Sequence, residues 1–258
     1  MVKRDELIKF IYQVIGKDLL EKAWKIDEVA NGVQILGKEQ VDKVALGTSL
    51  NEEFLKEAVR RGADFCIFHH GLDPRAIKSR FPICVQKRLR MIFQNNLTIV
   101  GLHYSLDAHP LIGNNAMIIK KLGAKITGSL YEDWGFVARF SASQDVRKLR
   151  DKCEKLFNHR VLAFFAGPVR VKTIGVVSGA AAPRIEQLEE MAQKGVELFI
   201  SGEGHESSPA RMKESGINYF LGGHYNTEGF GVKALGEKIK KRFGNKVKVE
   251  FIDIPNII

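Results

Sequence analysis

Apolar positions along the chain fall into short continuous runs separated by helically spaced stripes. Leu7, Ile8, Ile11, Tyr12, Val14 and Ile15 recur at three- and four-residue spacing, which predicts a helix over residues 1–24. Residues 27–35 read as a turn entering a short strand, and the apolar run 41–48 as a second strand. Asn51 stands where a side chain can cap a helix over 52–61, which carries Phe54, Leu55 and Val59 on one face and ends at Gly62. A strand over 63–68 delivers His69 and His70 at its end; a helix over 81–96, a strand over 97–102 and a helix over 113–122, stopped by Gly123, follow. Strands alternating with helices in this way predict α/β layers.

The segment 128–170 breaks that rhythm. Residues 134–140 alternate like a half-exposed strand, and 146–157 form an amphipathic helix pattern. The first rhythm then returns as an internal repeat. Lys43-Val44-Ala45-Leu46-Gly47-Thr48-Ser49 is similar to Thr173-Ile174-Gly175-Val176-Val177-Ser178-Gly179, and residues 61–68 line up with 194–201, setting His69-His70 opposite Gly202-Glu203. The expected fold is therefore α/β, with two similar halves from an internal duplication and a site in the cleft between them. The expected domains are a first α/β half over 1–127 and a second domain over 128–222, comprising the inserted segment and the start of the repeated half. A C-terminal part over 223–258 carries His224 and Glu228 and returns to the first domain.

Chemistry concentrates in a stretch that occurs twice, Gly101-Leu102-His103-Tyr104-Ser105-Leu106-Asp107 and Gly222-Gly223-His224-Tyr225-Asn226-Thr227-Glu228. Each copy follows an apolar run, and each places a histidine and a carboxylate on the same side of one helical turn. Phe68-His69-His70-Gly71 adds further imidazole at the end of a third run. Imidazole and carboxylate together form a ligand set for divalent metals. The set His69, His70, Asp107, His224 and Glu228 suits two ions if Glu228 bridges them, because two-metal hydrolytic sites hold their ions about 3.5–4 Å apart. His103 fits either a ligand or a hydrogen-bonded structural histidine. Glu203 and His205 fit either the orientation of a nucleophilic water and contact with substrate, or a solvated glycine-rich turn. Such ligands accommodate zinc, iron, manganese or nickel. His109 and His159 read as loop or surface residues, and Gly222-Gly223 and Gly229-Phe230-Gly231 as positions that either give the backbone clearance beside the ligands or cradle a phosphate.

Composition narrows the setting. The 258 residues can bury a large core, and no apolar run approaches the ~18 residues of a membrane span. The N-terminal residues lack a signal-peptide core, and the odd, scattered cysteines Cys66, Cys84 and Cys153 indicate reduced thiols, so a cytoplasmic location is expected. The formal net charge of +10 can attract nucleotides or nucleic acid, although basic runs such as Lys87, Arg88 and Arg90 read first as solvated helix faces. Phosphate-binding Walker loops, dinucleotide-binding glycine motifs and Cys-X-X-Cys pairs are missing from the sequence.

Taken together, Asn31-Gly32-Val33-Gln34, Phe68-His69-His70-Gly71, His103-Tyr104-Ser105-Leu106-Asp107, Ser201-Gly202-Glu203 and Gly223-His224-Tyr225-Asn226-Thr227-Glu228 resemble, in order and nearly end to end, the NIF-three-like family of GTP cyclohydrolase 1 type 2 homologues. The resemblance implies a two-domain α/β fold with a dinuclear metal centre in a ring-shaped homohexamer. It assigns His69 and Asp107 to one ion and His70 and His224 to the other, with Glu228 as the bridge. The chain departs from the family at Gly204-His205-Glu206-Ser207-Ser208, where many members carry a second His-His pair. The activity implied is metal-dependent hydrolysis of a nucleotide or related phosphorylated compound. A hexameric ring that binds nucleic acid or protein, or handles metal, without turnover is the alternative.

Overall fold

A computed structural model describes residues 1–73, 75 and 80–256. Residues 74 and 76–79 of the expected half 1–127, and the last two residues of the expected segment 223–258, lie outside the described residues. Strand β1 (Val2–Lys3) leads into α1 (Arg4–Ile15) and α2 (Lys17–Ile26), where the apolar spacing predicts a single helix. Gly16 divides them: its φ of 92° and ψ of 139° lie where side-chain-bearing residues rarely go, so the helix stops and restarts.

Next come β2 (Asn31–Ile35), β3 (Gln40–Val41) and β4 (Lys43–Ser49). The run predicted as one strand over 41–48 is thus broken at Asp42, whose N–H, with that of Lys43, donates to the Asp64 carboxylate at 2.9 and 3.3 Å. Helix α3 (Glu52–Arg60) is capped as expected, with Asn51 Oδ1 accepting from the Phe54 N–H at 2.8 Å. The chain continues through β5 (Phe65–His70), α4 (Ile83–Gln94), β6 (Thr98–Leu102), the single turn α5 (Tyr104–Asp107) and α6 (Asn114–Leu122), which Gly123 ends in the left-handed region at φ 86°. Then follow β7 (Lys125–Leu130), β8 (Gly135–Asp145), α7 (Val146–Phe157), β9 (Leu162–Phe164), β10 (Arg170–Val177) and α8 (Ile185–Gln193). The last elements are β11 (Leu198–Ser201), α9 (Ser208–Glu214), β12 (Asn218–Leu221), α10 (His224–Glu228), α11 (Phe230–Phe243) and β13 (Lys248–Phe251).

These elements form two compact units, Met1–Ile112 with Gly231–Ile254 and Gly113–Phe230 with Pro255–Ile258. The first holds a five-stranded sheet in the order β13-β4-β5-β6-β2, parallel except for β2. Side chains alternate across it. Val44, Leu46, Phe65, Ile67, Val100 and Leu102 pack on one face with Leu7 and Ile11 of α1 and Val232, Leu235 and Ile239 of α11. Ala45, Cys66, Phe68 and Ile99 pack on the other with Phe54 and Leu55 of α3 and Ile92 of α4. Helices on both faces explain why β4, β5 and β6 are almost continuously apolar.

The second unit holds a six-stranded sheet in the order β7-β8-β10-β11-β12-β9, in which β10, β11 and β12 are parallel and the flanking strands antiparallel. Its two faces carry separate cores, one with α6 and α7, the other with α8 and α9. The segments that match in sequence occupy β4 and β10 and then β5 and β11, which are neighbouring parallel strands in their respective sheets. Cys66 and Cys153 are buried, and burial pushes both thiols up to about 12. Among the described residues, no helix is long and apolar enough to cross a membrane.

Candidate metal centre

In the first unit, His69 and His70 are the last two residues of β5 and not the first beyond it. They stand at the carboxyl edge of the parallel strands. His69 is fully buried, and its Nδ1–H donates to the carbonyl oxygen of Leu102 at 3.1 Å. A carbonyl oxygen only accepts, so this bond fixes the tautomer of the neutral ring and leaves Nε2 with the lone pair that can ligate a metal. That Nε2 lies 3.5 Å from Asp107 Oδ2. His70 Nδ1 pairs with Ser49 Oγ at 2.9 Å, and His103 Nδ1 with Asp27 Oδ2 at 2.9 Å. The three rings cluster, with centroids 4.6 Å apart for His69 and His70, 4.8 Å for His69 and His103 and 5.4 Å for His70 and His103. One ring nitrogen from each lies within 4.8 Å of the others, a spacing that can hold a metal ion.

Asp27 is the residue that the sequence did not single out. Its carboxylate accepts from Val29 N–H at 3.0 Å, Asn31 Nδ2 at 2.7 Å and Tyr104 N–H at 3.0 Å, besides His103. Burial disfavours its charge, but the hydrogen bonds and the His103 ring outweigh burial and hold its carboxyl down to about 2. Asn31 Oδ1 in turn accepts from Ser105 N–H and Oγ at 2.9 and 2.8 Å. The turn between α2 and β2 therefore grips the first turn of α5 and sets the attitude of His103 and Asp107. Only the short-range pairing of Asp27 with Val29 and Asn31 leaves any trace in sequence, as a turn signal.

In the second unit, α10 does what the repeated spacing predicts. His224 Nε2 lies 2.9 Å from Glu228 Oε2, one helical turn on. Its Nδ1 makes a short hydrogen bond with Glu203 Oε1, at the end of β11. Burial opposes protonation of His224, but the bonds and charges of Glu228 and Glu203 outweigh it and hold the ring protonated up to about 9. An imidazole between two carboxylates fits a divalent cation, which replaces the Nε2 proton on binding.

Glycines frame this half. Gly179 has φ 67°, and a Cβ there would overlap the Glu228 carboxylate and lie 3.3 Å from His224 Nε2. Its carbonyl accepts from Gly202 and Glu203 N–H at 3.0 and 2.9 Å, and its N–H donates to Thr227 Oγ1 at 3.1 Å. Gly222 gives clearance as expected, since a Cβ on it would meet the Phe157 ring at 2.6 Å.

Of the eight residues singled out from sequence, His69, His70, His103 and Asp107 gather in the first unit, and His224, Glu228 and Glu203 in the second. His205 is exposed in the turn entering α9, where its N–H donates to Ser208 Oγ at 3.0 Å and its carbonyl accepts from Ser208 N–H at 3.0 Å. His159 is half-buried against Gly223. His109 lies in a loop, as expected, but is buried, with Nδ1 accepting from Leu111 and Ile112 N–H at 3.1 and 3.3 Å and Nε2–H donating to Val14 O at 3.0 Å. Burial pushes its pKa down.

Comparison with known proteins adds relatives. The sequence matches Duf34/NIF3 (NGG1p interacting factor 3) over residues 2–257. A GTP cyclohydrolase 1 type 2 homolog from Archaeoglobus fulgidus is 36% identical over 251 residues, covering 97% of each chain. A structural-genomics protein of unknown function, ybgI, superposes with a TM-score of 0.87 at 30% identity, and TTHA1606 from Thermus thermophilus with a TM-score of 0.85 at 29% identity; both cover 100% of each chain.

Proposed function

Because the chain belongs to the Duf34/NIF3 family, we propose that it is a metal-dependent hydrolase of a nucleotide or related phosphorylated compound, using two divalent ions held by His69, His70, Asp107, His224 and Glu228. The observation that supports this best is the uniform handling of the imidazoles. Each Nδ1 is engaged, by Leu102 O, Ser49 Oγ, Asp27 or Glu203, so each Nε2 is the atom presented. Metal-binding histidines are characteristically oriented in this way. By motif position, His69 and Asp107 would hold one ion and His70 and His224 the other, with Glu228 as the bridge that the family resemblance implies. When bound, such ions lower the pKa of water and neutralise charge developing on oxygen.

The remaining residues act around them. Asp27 holds His103 so that its Nε2 can exchange a proton with substrate. Glu203 orients His224, and the exposed His205 contacts substrate. The relatives' name favours attack at the purine C8 of GTP over attack at phosphorus. Purified protein loaded in turn with zinc, iron, manganese and nickel, and given GTP and generic phosphoesters, tests the proposal. Turnover with one of these metals, abolished in Glu228→Ala, is expected; no turnover with any metal would sink the hydrolase reading.

The formal charge of +10 supports the nucleic-acid form of a second reading, in which the homohexamer that the family resemblance implies binds nucleic acid or protein, or handles metal, without turnover. Its signature is a hexameric mass in solution and an affinity for nucleic acid that falls steeply with salt; salt-insensitive binding counts against it.

A further inference from the structure

The pleat of the first sheet leaves one buried hydroxyl to account for. Along β4, Val44 and Leu46 face the core shared with α1 and α11, and along β5 Phe65 and Ile67 face the same core. The register pairs Leu46 with Ile67, Gly47 with Phe68 and Ser49 with His70. Alternation then makes Thr48 and His69 the next neighbours on the α11 side, since paired residues of adjacent strands point the same way. The Ser49–His70 hydrogen bond of 2.9 Å shows the same pairing on the opposite side.

Thr48 thus ends a row whose other members are aliphatic, where valine would pack as well. It is 1% exposed, and its Oγ1 has no hydrogen-bond partner among the described residues. A hydroxyl withdrawn from water and given no partner is unfavourable, and such groups call for a specific reason. Its neighbour along the ladder supplies one. His69 spends Nδ1 on Leu102 O and turns Nε2 towards Asp107.

We propose that Thr48 is a water-binding residue of the His69–Asp107 site, its hydroxyl holding a water molecule that completes the coordination of the ion there. The inference rests on the metal-site reading above. A hydroxyl both donates and accepts, so it can orient a water in a way that valine cannot. The polar group at the end of an apolar row is then a positioning group for the reacting solvent.

The test uses full-length protein freed of metal by chelation and titrated with Zn(II), with affinity read by calorimetry and melting temperature read with and without the ion. Thr48→Val is expected to melt at or above wild type when metal-free, yet to bind Zn(II) roughly tenfold more weakly and gain less on loading. Thr48→Ser and Thr48→Ala share the loss of the methyl group and differ in the hydroxyl, so their comparison isolates it even if valine disturbs folding. Serine is expected to keep near wild-type affinity and alanine to lose it. Equal Zn(II) affinity in all variants, with any change in melting temperature the same in both states, would overturn the role of Thr48 while leaving the metal site standing. If wild type itself takes up no Zn(II), the metal-site reading fails and this inference goes with it.

Discussion

Asp27 concentrates four hydrogen bonds on one carboxylate, and three of them hold groups of the His103 turn or the strand beside it. Asp27→Asn keeps the shape but removes the charge facing His103 Nδ1. The expected result is a changed tautomer population of His103, read from ring nitrogen chemical shifts, with metal affinity lowered roughly tenfold; unchanged shifts would deny Asp27 this role. The carboxyl also sets a pH dependence. Its pKa falls from 3.8 to about 2, so its stabilisation is complete above about 4 and is lost as the pH drops through 2. Metal-free Asp27→Asn should show a flatter loss of stability over that interval. Gly179→Ala is the sharpest probe of the second unit, because φ 67° already disfavours a side chain and its Cβ would overlap Glu228. It should lose metal bound through His224 and Glu228, measured as ion content per chain. The clustered histidines and carboxylates were legible because their spacing recurs at strand ends. Asp27 and Ser49 were not, because their partners lie 76 and 21 residues away and only the packed sheet brings them near.

At the scale of elements, hydrophobic periodicity located most helices and strands but was blind to Gly16. The stripe made by Leu7, Ile11 and Ile15 resumes with Leu20 and Ala23, so burial alone is served with or without a break. Backbone conformation decides it. A Cβ at Gly16 would meet nothing within 4 Å, so Gly16→Ala isolates the conformational cost of φ 92°; denaturant unfolding should show a loss of about 1 kcal/mol. The Asn51 cap was read correctly because it is local, lying three residues from the N–H it serves. Asn51→Ala should cost about 1 kcal/mol in the same measurement, with metal affinity unchanged.

For the whole molecule, the division of the chain is the informative feature. The second unit is built almost entirely from Gly113–Phe230, whereas the first needs Gly231–Ile254 to complete its sheet and core. Val232, Leu235, Ile239 and Phe243 of α11 fill the core over β4 and β5, and β13 pairs with β4. A fragment of 113–230 should therefore melt cooperatively, followed by circular dichroism, while a fragment of 1–112 should not. Co-expression of that second fragment with a peptide spanning 231–254 should restore a transition. Alternating strands and helices revealed α/β layers from sequence. The partner of β4 was not legible, because β4 and β13 pair across nearly the whole length of the chain.

That late pairing has a consequence during synthesis. β4 leaves the ribosome long before β13, so until β13 emerges β4 is an uncovered sheet edge with unsatisfied amides. The segment holding His224 can reach its fold while the strand beneath His69 still awaits its neighbour. A truncation before β13 would thus disturb the sheet that carries His69 and His70 and spare the unit that carries His224.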